Sequence, residues 1–256
     1  MCCALNRPAE AVTEKRSEAQ PITPWAPQPV ERVAMRQTWR RLTFLHWPYE
    51  PAVIARLLPP GIELDTFDGA AYAGLIPFEI HNLSGVPQFP ETNVRTYVIG
   101  PDGSRAVWFF SLDAARLLAV IGARAAYHLP YFWANMEVRP ESDVIRYSSR
   151  RKWPHSSRHF TDIVIKPGAP WQKTWQVESL PDLDHFLTAR YRLYALNGGR
   201  LAYAQIEHDP WQLTRARLVK LDQNLMEAAG LPGPKGAPLV HYSAEMNVKI
   251  GYIRMC

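Results

Sequence analysis

With 256 residues, of which 47% are hydrophobic and 21% charged, the chain has ample apolar material for a core, which excludes a disordered polymer. The formal charge of +5 is diffuse, and its densest basic run, Arg150-Arg151-Lys152, suits a solvated strand face, so no nucleic-acid partner is expected. Three cysteines at the ends, Cys2, Cys3 and Cys256, cannot staple a core. The chain also lacks the roughly 18 consecutive apolar residues of a membrane span and the apolar centre of a signal peptide, so a cytoplasmic protein with no membrane partner is expected.

In chain order, residues 1–34 pass from charged sequence into Pro21, Pro24, Pro27 and Pro29. This predicts a mobile Pro-rich N-terminal arm ahead of a single domain at 35–256. Thr38 to His46 has strand character. Pro51 opens a short helix that Pro59-Pro60-Gly61 ends. Ile62 to Phe67 and Ala70 to Ile80 form a hairpin around Asp68-Gly69, two residue types that tolerate positive φ. A second hairpin pairs Val94 to Ile99 with Ala106 to Leu112, a run too apolar for a strand with a wet face.

Ala114 to about Tyr127 reads as a buried helix with Asp113 as its N-cap. Strands follow near Tyr131 to Val138, Val144 to Arg150 and His159 to Ile165. A further helix is expected from about Pro181 to Leu196, closed by Asn197-Gly198-Gly199, and strands resume at Leu201. Short strands outnumber helices without a regular β-α-β alternation. The fold class is therefore α+β, mainly β, as a large antiparallel barrel-like sheet with a few flanking helices.

No Gly-rich nucleotide loop and no Gly-x-Ser-x-Gly elbow is present, and no cofactor is expected. His155 and His159 are four apart, a spacing that serves one metal only on a helix; Pro154 and Ser156-Ser157 predict a turn, so no metal site is expected. His46, His208 and His241 are expected to be hydrogen-bonded structural residues, with His208 the most open to tuning by its neighbours. Between Glu91 and Met136, however, Glu91, Asn93, Arg95, Asp113, Arg124 and Tyr131 interrupt strongly apolar sequence. A charge there needs a partner or a task. Asn93, Arg95 and Tyr97 alternate with Val94, Thr96 and Val98, so they share one face and are candidate substrate-binding residues if that face turns inward. Lys249 lies in a strand-like run where it points either inward or into water.

The segments Leu57-Leu58-Pro59-Pro60-Gly61-Ile62-Glu63-Leu64-Asp65, Phe89-Pro90-Glu91-Thr92-Asn93-Val94-Arg95-Thr96-Tyr97-Val98, Phe109-Phe110-Ser111-Leu112-Asp113-Ala114 and Leu129-Pro130-Tyr131 resemble the YqjF-like family (DUF2071) from about Thr38 to His241. That family is in turn remotely similar to acetoacetate decarboxylase, which implies a cone-shaped β-barrel with an interior site. The decarboxylase has two adjacent lysines after the matching proline, one of which forms a Schiff base. This chain has Tyr131-Phe132 there, and a phenol cannot form an iminium, so Schiff-base decarboxylation is not expected.

The resemblance implies three catalytic candidates: Arg124, on the family helix, to hold an anion; Glu91, in the acidic loop, to move a proton; and Tyr131 to stabilise an oxyanion. Structural alternatives stay open for each, including an Arg124 pair with Glu91 or Asp113. The expected function is binding of a carboxylate or oxo compound in an interior polar cavity, with a lysine-independent lyase or isomerase as its enzymatic version. The alternative is a non-catalytic binding or protein-interaction module that retains the barrel. A homo-oligomer is compatible with either. Arg190 and His208 stand outside the chosen set.

Overall fold

The computed structural model describes residues 18–154, 158–170 and 182–256. Its strands are β1 (Val33–Tyr49), β2 (Glu63–Leu64), β3 (Ala71–His81), β4 (Phe89–Ile99), β5 (Arg105–Ala114), β6 (Tyr131–Glu141), β7 (Val144–Trp153), β8 (Phe160–Pro170), β9 (Arg192–Asn197), β10 (Arg200–His208), β11 (Thr214–Gln223), β12 (Leu239–Gly251) and β13 (Arg254–Met255). The helices are α1 (Pro51–Ala55), α2 (Leu117–Tyr127), α3 (Asp182–Thr188) and α4 (Leu225–Ala228).

The sheet closes twice. One ring runs β12-β1-β3-β4-β5-β9-β10 and returns to β12; the other runs β12-β1-β3-β4-β5-β6-β7-β8-β11 and also returns to β12. The strands from β12 to β5 are a wall common to both rings, and along β3, β4 and β5 neither face carries an exposed residue. That is why Val107 to Leu112 reads as buried on both sides. The pairings are antiparallel except β5 with β6 and β5 with β9. The first of these needs a crossover, which α2 supplies.

Two tight turns follow from their residues. Asp68 and Gly69 both have positive φ, 48° and 78°, as a two-residue turn requires, but the turn is closed only by the Phe67–Ala70 bridge. β2 pairs with β4 and not with β3, which corrects the hairpin expected of Ile62 to Phe67 with Ala70 to Ile80. Gly198 and Gly199, at 59° and 80°, close a two-residue hairpin between β9 and β10, where Asn197 pairs with Arg200. This corrects the helix expected over Pro181 to Leu196, of which residue 181 lies outside the described residues. Gly-Gly after an apolar run serves equally as a helix stop or a hairpin turn, and here the hairpin wins. The helix ends at Thr188, and Arg192 to Asn197 becomes strand.

Two further expectations are corrected around α2. Asp113 is not a cap but the penultimate residue of β5, and the helix begins after Arg116 with no side-chain cap. Nor is the helix buried: it buries only Val120 and Tyr127 and leaves Leu117, Leu118 and Ile121 exposed. Asp113 instead lies buried with Arg151, whose Nε donates to it at 2.7 Å, and with Ser149, whose hydroxyl donates at 3.1 Å. The Arg151 guanidinium covers the Phe132 ring at 3.8 Å.

Part of the Pro-rich segment lies against the barrel. The Gln20 N–H donates to the Gly103 carbonyl at 2.9 Å, the Val30 N–H donates to Glu207 at 2.7 Å, and the Tyr191 hydroxyl donates to the Pro24 carbonyl. Among the described residues no helix is long and apolar enough to cross a membrane.

Candidate functional site

The ring closed by β9 and β10 is hollow. It holds a cavity of about 400 Å³, within the size range of small-molecule sites. Its walls are mostly apolar, with Trp39, Phe78, Phe89, Phe109 and Trp211 among the largest side chains. Alternation along β4 places Glu91, Asn93 and Arg95 on this inner wall, while Val94 packs into the core of the other ring. A register shift opposite Val94 and Arg95 leaves Phe110 unpaired in β5, which lets both Leu112 and Phe109 face the cavity. Tyr131 enters from β6, Arg190 from the turn before β9, and His208 from the end of β10.

Glu91 is buried, and Tyr131 donates its hydroxyl to the carboxyl at 2.9 Å. Burial is the main influence on Glu91. It outweighs the Tyr131 hydrogen bond and, with the nearby Asp113 charge, lifts the Glu91 pKa to about 8. The group is therefore mostly protonated at neutral pH. Burial first, and Glu91 second, hold the Tyr131 phenol well above its ordinary range.

Arg95 has no carboxylate partner among the described residues. One terminal nitrogen donates to the Leu187 carbonyl at 3.3 Å, the guanidinium stands 5.4 and 5.6 Å from the Phe44 and Tyr97 rings, and Nε is buried without a hydrogen bond. The Asn93 side-chain oxygen is likewise buried and unbonded. Arg190 differs: it donates to Asp65 at 3.0 Å and to the Ala189 carbonyl at 3.1 Å. Burial lowers its pKa to about 10, which leaves it charged at neutral pH. Asp65 is shared with Arg105. With Glu91 protonated, the cavity wall is net positive.

His208 donates Nδ1–H to the Asp209 carbonyl at 2.6 Å, since a carbonyl can only accept, so Nε2 keeps the lone pair. Burial lowers its pKa to about 4, and its ring sits 4.7 Å from those of Tyr191 and Trp211. It is neutral at pH 7 and can accept a hydrogen bond.

The structure thus gathers Glu91, Asn93, Arg95 and Tyr131 at one cavity and leaves two candidates off it. Tyr97 shares the face of β4 but lies beyond the hollow part, where it donates to the Leu187 carbonyl at 2.6 Å and meets His46 Nε2 at 2.5 Å. Burial, followed by the Arg95 charge, holds His46 well below its ordinary pKa. Arg124 is corrected as an interior anion holder. It is exposed on α2, donates Nη1 to the Tyr131 carbonyl at 2.7 Å and stands 5.6 Å from the Trp153 ring. The helix turns its small residues inward and its arginine outward, so Arg124 braces the backbone of Tyr131 and does not reach the cavity.

Arg190 and His208 are charged or basic lining residues that the sequence-based set leaves out. The signal for His208 was its setting between Glu207, Asp209 and Trp211; Arg190 was assigned to a helix face that does not form. None of the lining residues is a lysine. Lys249 points outward, its side chain 40% exposed and its ammonium 2.5 Å from Glu207. Lys15 and Lys173 lie outside the described residues. No group of three or more metal-ligating side chains is gathered among the described residues; His155 lies outside them.

A doubly closed, mainly β sheet of this kind is the fold of the acetoacetate-decarboxylase-like proteins, although the cavity here is mostly apolar with a polar wall on β4 rather than polar throughout as expected. The acetoacetate decarboxylase of Legionella pneumophila superposes with a TM-score of 0.60 at 13% identity, covering 90% of each chain. The enduracididine biosynthesis enzyme MppR in complex with pyruvate gives 0.61 at 13% identity, covering 90% of this chain and 93% of that one. An acetoacetate decarboxylase-like enzyme of Sphingomonas wittichii gives 0.57 at 11% identity, covering 90% and 95%. At such identities the likeness is one of fold. Within that class the chain belongs to the DUF2071 family, described as an uncharacterized conserved protein, whose model matches residues 36–247. It is 39% identical over 223 residues to the uncharacterized protein YqjF of Bacillus subtilis, covering 84% of this chain and 89% of the relative.

Proposed function

We propose that the cavity binds a small carboxylate that also bears a carbonyl group, and that Glu91 moves a proton on it while Tyr131 stabilises the oxyanion in a lysine-independent lyase or isomerase reaction. The observation that carries this reading is the inner face of β4. Arg95, a buried cation without a carboxylate partner, lies on the same face as Glu91, a carboxyl that is mostly protonated at neutral pH. A buried charge with no counter-charge is costly, and a ligand carboxylate would complete it. MppR, which shares the fold, is complexed with pyruvate, and this supports a ligand of that chemistry.

In the reaction, ionised Glu91 takes a proton from the carbon next to the ligand carbonyl. The C–H electron pair moves into the new C=C bond and the carbonyl pair onto oxygen, where the Tyr131 hydroxyl stabilises the enolate by hydrogen bonding. Return of the proton to a different atom isomerises the compound; in a lyase the enolate collapses instead, C=O re-forms, the C=C pair moves to a new double bond to the next carbon, and a group on that carbon leaves with its bonding pair and takes the proton from Glu91. Absence of lysine from the cavity lining favours this route over an iminium. The same absence supports the second reading, a binding module without turnover.

The test follows hydrogen–deuterium exchange next to the carbonyl of oxo acids by NMR in D2O, alongside their effect on thermal unfolding. Expected are stabilisation by the acid and an exchange rate that rises with pH, is half-maximal near 8 and levels off above it, with exchange abolished in Glu91→Gln and slowed in Tyr131→Phe. Stabilisation without enzyme-dependent exchange would establish the binding-module reading, and neither effect would defeat both.

A further inference from the structure

The polar groups occupy a small part of the cavity. A three- or four-carbon acid held by Arg95 would leave most of about 400 Å³ to water lying on aromatic and aliphatic walls. Water needs two to four polar partners to be stable in such a place, and Trp39, Phe78, Ile80, Phe89, Leu193 and Ile250 supply few. The walls are suited to an apolar body.

The opening has the same character. Leu118 lines the cavity and is also 81% exposed, so the mouth lies along α2. Ile121 and Leu117 extend an apolar rim on that helix, both exposed to solvent. On the cavity side α2 presents Ala119, Gly122, Ala123 and Ala126, residues that take up little space. A Cβ added at Gly122 meets no atom within 4 Å, so the passage beside it is open. An apolar rim around a polar-ended pocket marks a site for an apolar ligand.

Building on the reading above, we infer that the ligand is an amphipathic acid of about ten to twenty non-hydrogen atoms. Its carboxylate is held by Arg95, and its aromatic or long aliphatic body runs along the apolar walls to the α2 mouth. The site discriminates by size and apolarity as well as by charge.

The experiment is calorimetric titration with acetate, butanoate, hexanoate, octanoate and decanoate, and with pyruvate against 3-phenylpyruvate, on the wild type, Gly122→Trp and Arg95→Met. Affinity is expected to rise about fourfold per added methylene until the chain fills the cavity, and 3-phenylpyruvate should bind at least tenfold more tightly than pyruvate. Gly122→Trp should lower the octanoate-to-butanoate affinity ratio at least tenfold, and Arg95→Met should weaken octanoate binding. Affinity independent of chain length, or a preference for pyruvate, would overturn the size inference while leaving the anion site intact. If no acid of any length binds, the reading of the cavity as an anion site fails as well. The wild-type length series decides the matter even if Gly122→Trp does not fold.

Discussion

The two rings share a wall and differ in what they enclose. On one side of β4, Val94 packs with Leu45, Leu75, Ile145, Tyr147 and Ile163 in a filled core. On the other, Glu91, Asn93 and Arg95 face a hollow. The same contrast separates the buried arginines. Arg151 is 2% exposed and bonded to Asp113, itself 0% exposed, whereas Arg95 is buried with no carboxylate partner among the described residues and donates only to the Leu187 carbonyl. The first arrangement is complete in the folded protein. In the proposed function the second is completed by a ligand carboxylate, although Arg190 on the same hollow is already bonded to Asp65.

The largest expected effect is on the filled side. Asp113→Ala leaves the Arg151 guanidinium buried and unpaired and should cost about 3–5 kcal/mol in urea denaturation. A loss below about 1 kcal/mol would show the pair to be ornamental and break the contrast.

Glu91→Gln tests the hollow side through pH. The folded pKa of Glu91, about 8, exceeds its unfolded value, so its stabilising contribution is fully present below about 4.5 and is lost as pH rises through 8. His208, with a folded pKa of about 4, acts oppositely: its contribution is present above about 6.5 and is lost as pH falls through 4. Between pH 6.5 and 8 Glu91 acts with little interference from His208. There the wild type should lose roughly 2 kcal/mol, at about 1.4 kcal/mol per pH unit, and Glu91→Gln should stay nearly flat. Parallel curves would contradict the raised pKa.

Arg95→Met should change stability by less than about 1 kcal/mol or increase it, because an unpaired buried charge is replaced by apolar volume. The Leu187 carbonyl still accepts from Tyr97. A loss of about 3 kcal/mol would instead make Arg95 part of the scaffold. The smallest effect is predicted for Arg124→Ala, an exposed side chain whose removal should cost about 1 kcal/mol or less through one hydrogen bond and one ring contact.

Much of the architecture was legible because local chemistry and global fold agree. Asp68-Gly69 dictates a tight turn, Pro51 opens a short helix, and the alternation of Glu91, Asn93 and Arg95 puts them on one face. The family resemblance is shown over residues 36–247. The misreadings share a cause: apolar content does not reveal which enclosed space, or which mouth, a side chain faces. Leu117, Leu118 and Ile121 look like core but rim an opening. Gly198-Gly199 suits a helix stop or a hairpin. Arg124 lay on the helix that resemblance indicated, while Arg95, read only as a binding residue, is the cation the cavity leaves unpaired.

The central claim is that Arg95 is the cavity's anion site. It is tested most directly by calorimetric titration of octanoate at pH 7 into the wild type and Arg95→Met. The account predicts binding by the wild type, at least tenfold weaker binding by the variant, and an unchanged unfolding midpoint without ligand. Equal affinity in the two proteins would contradict it.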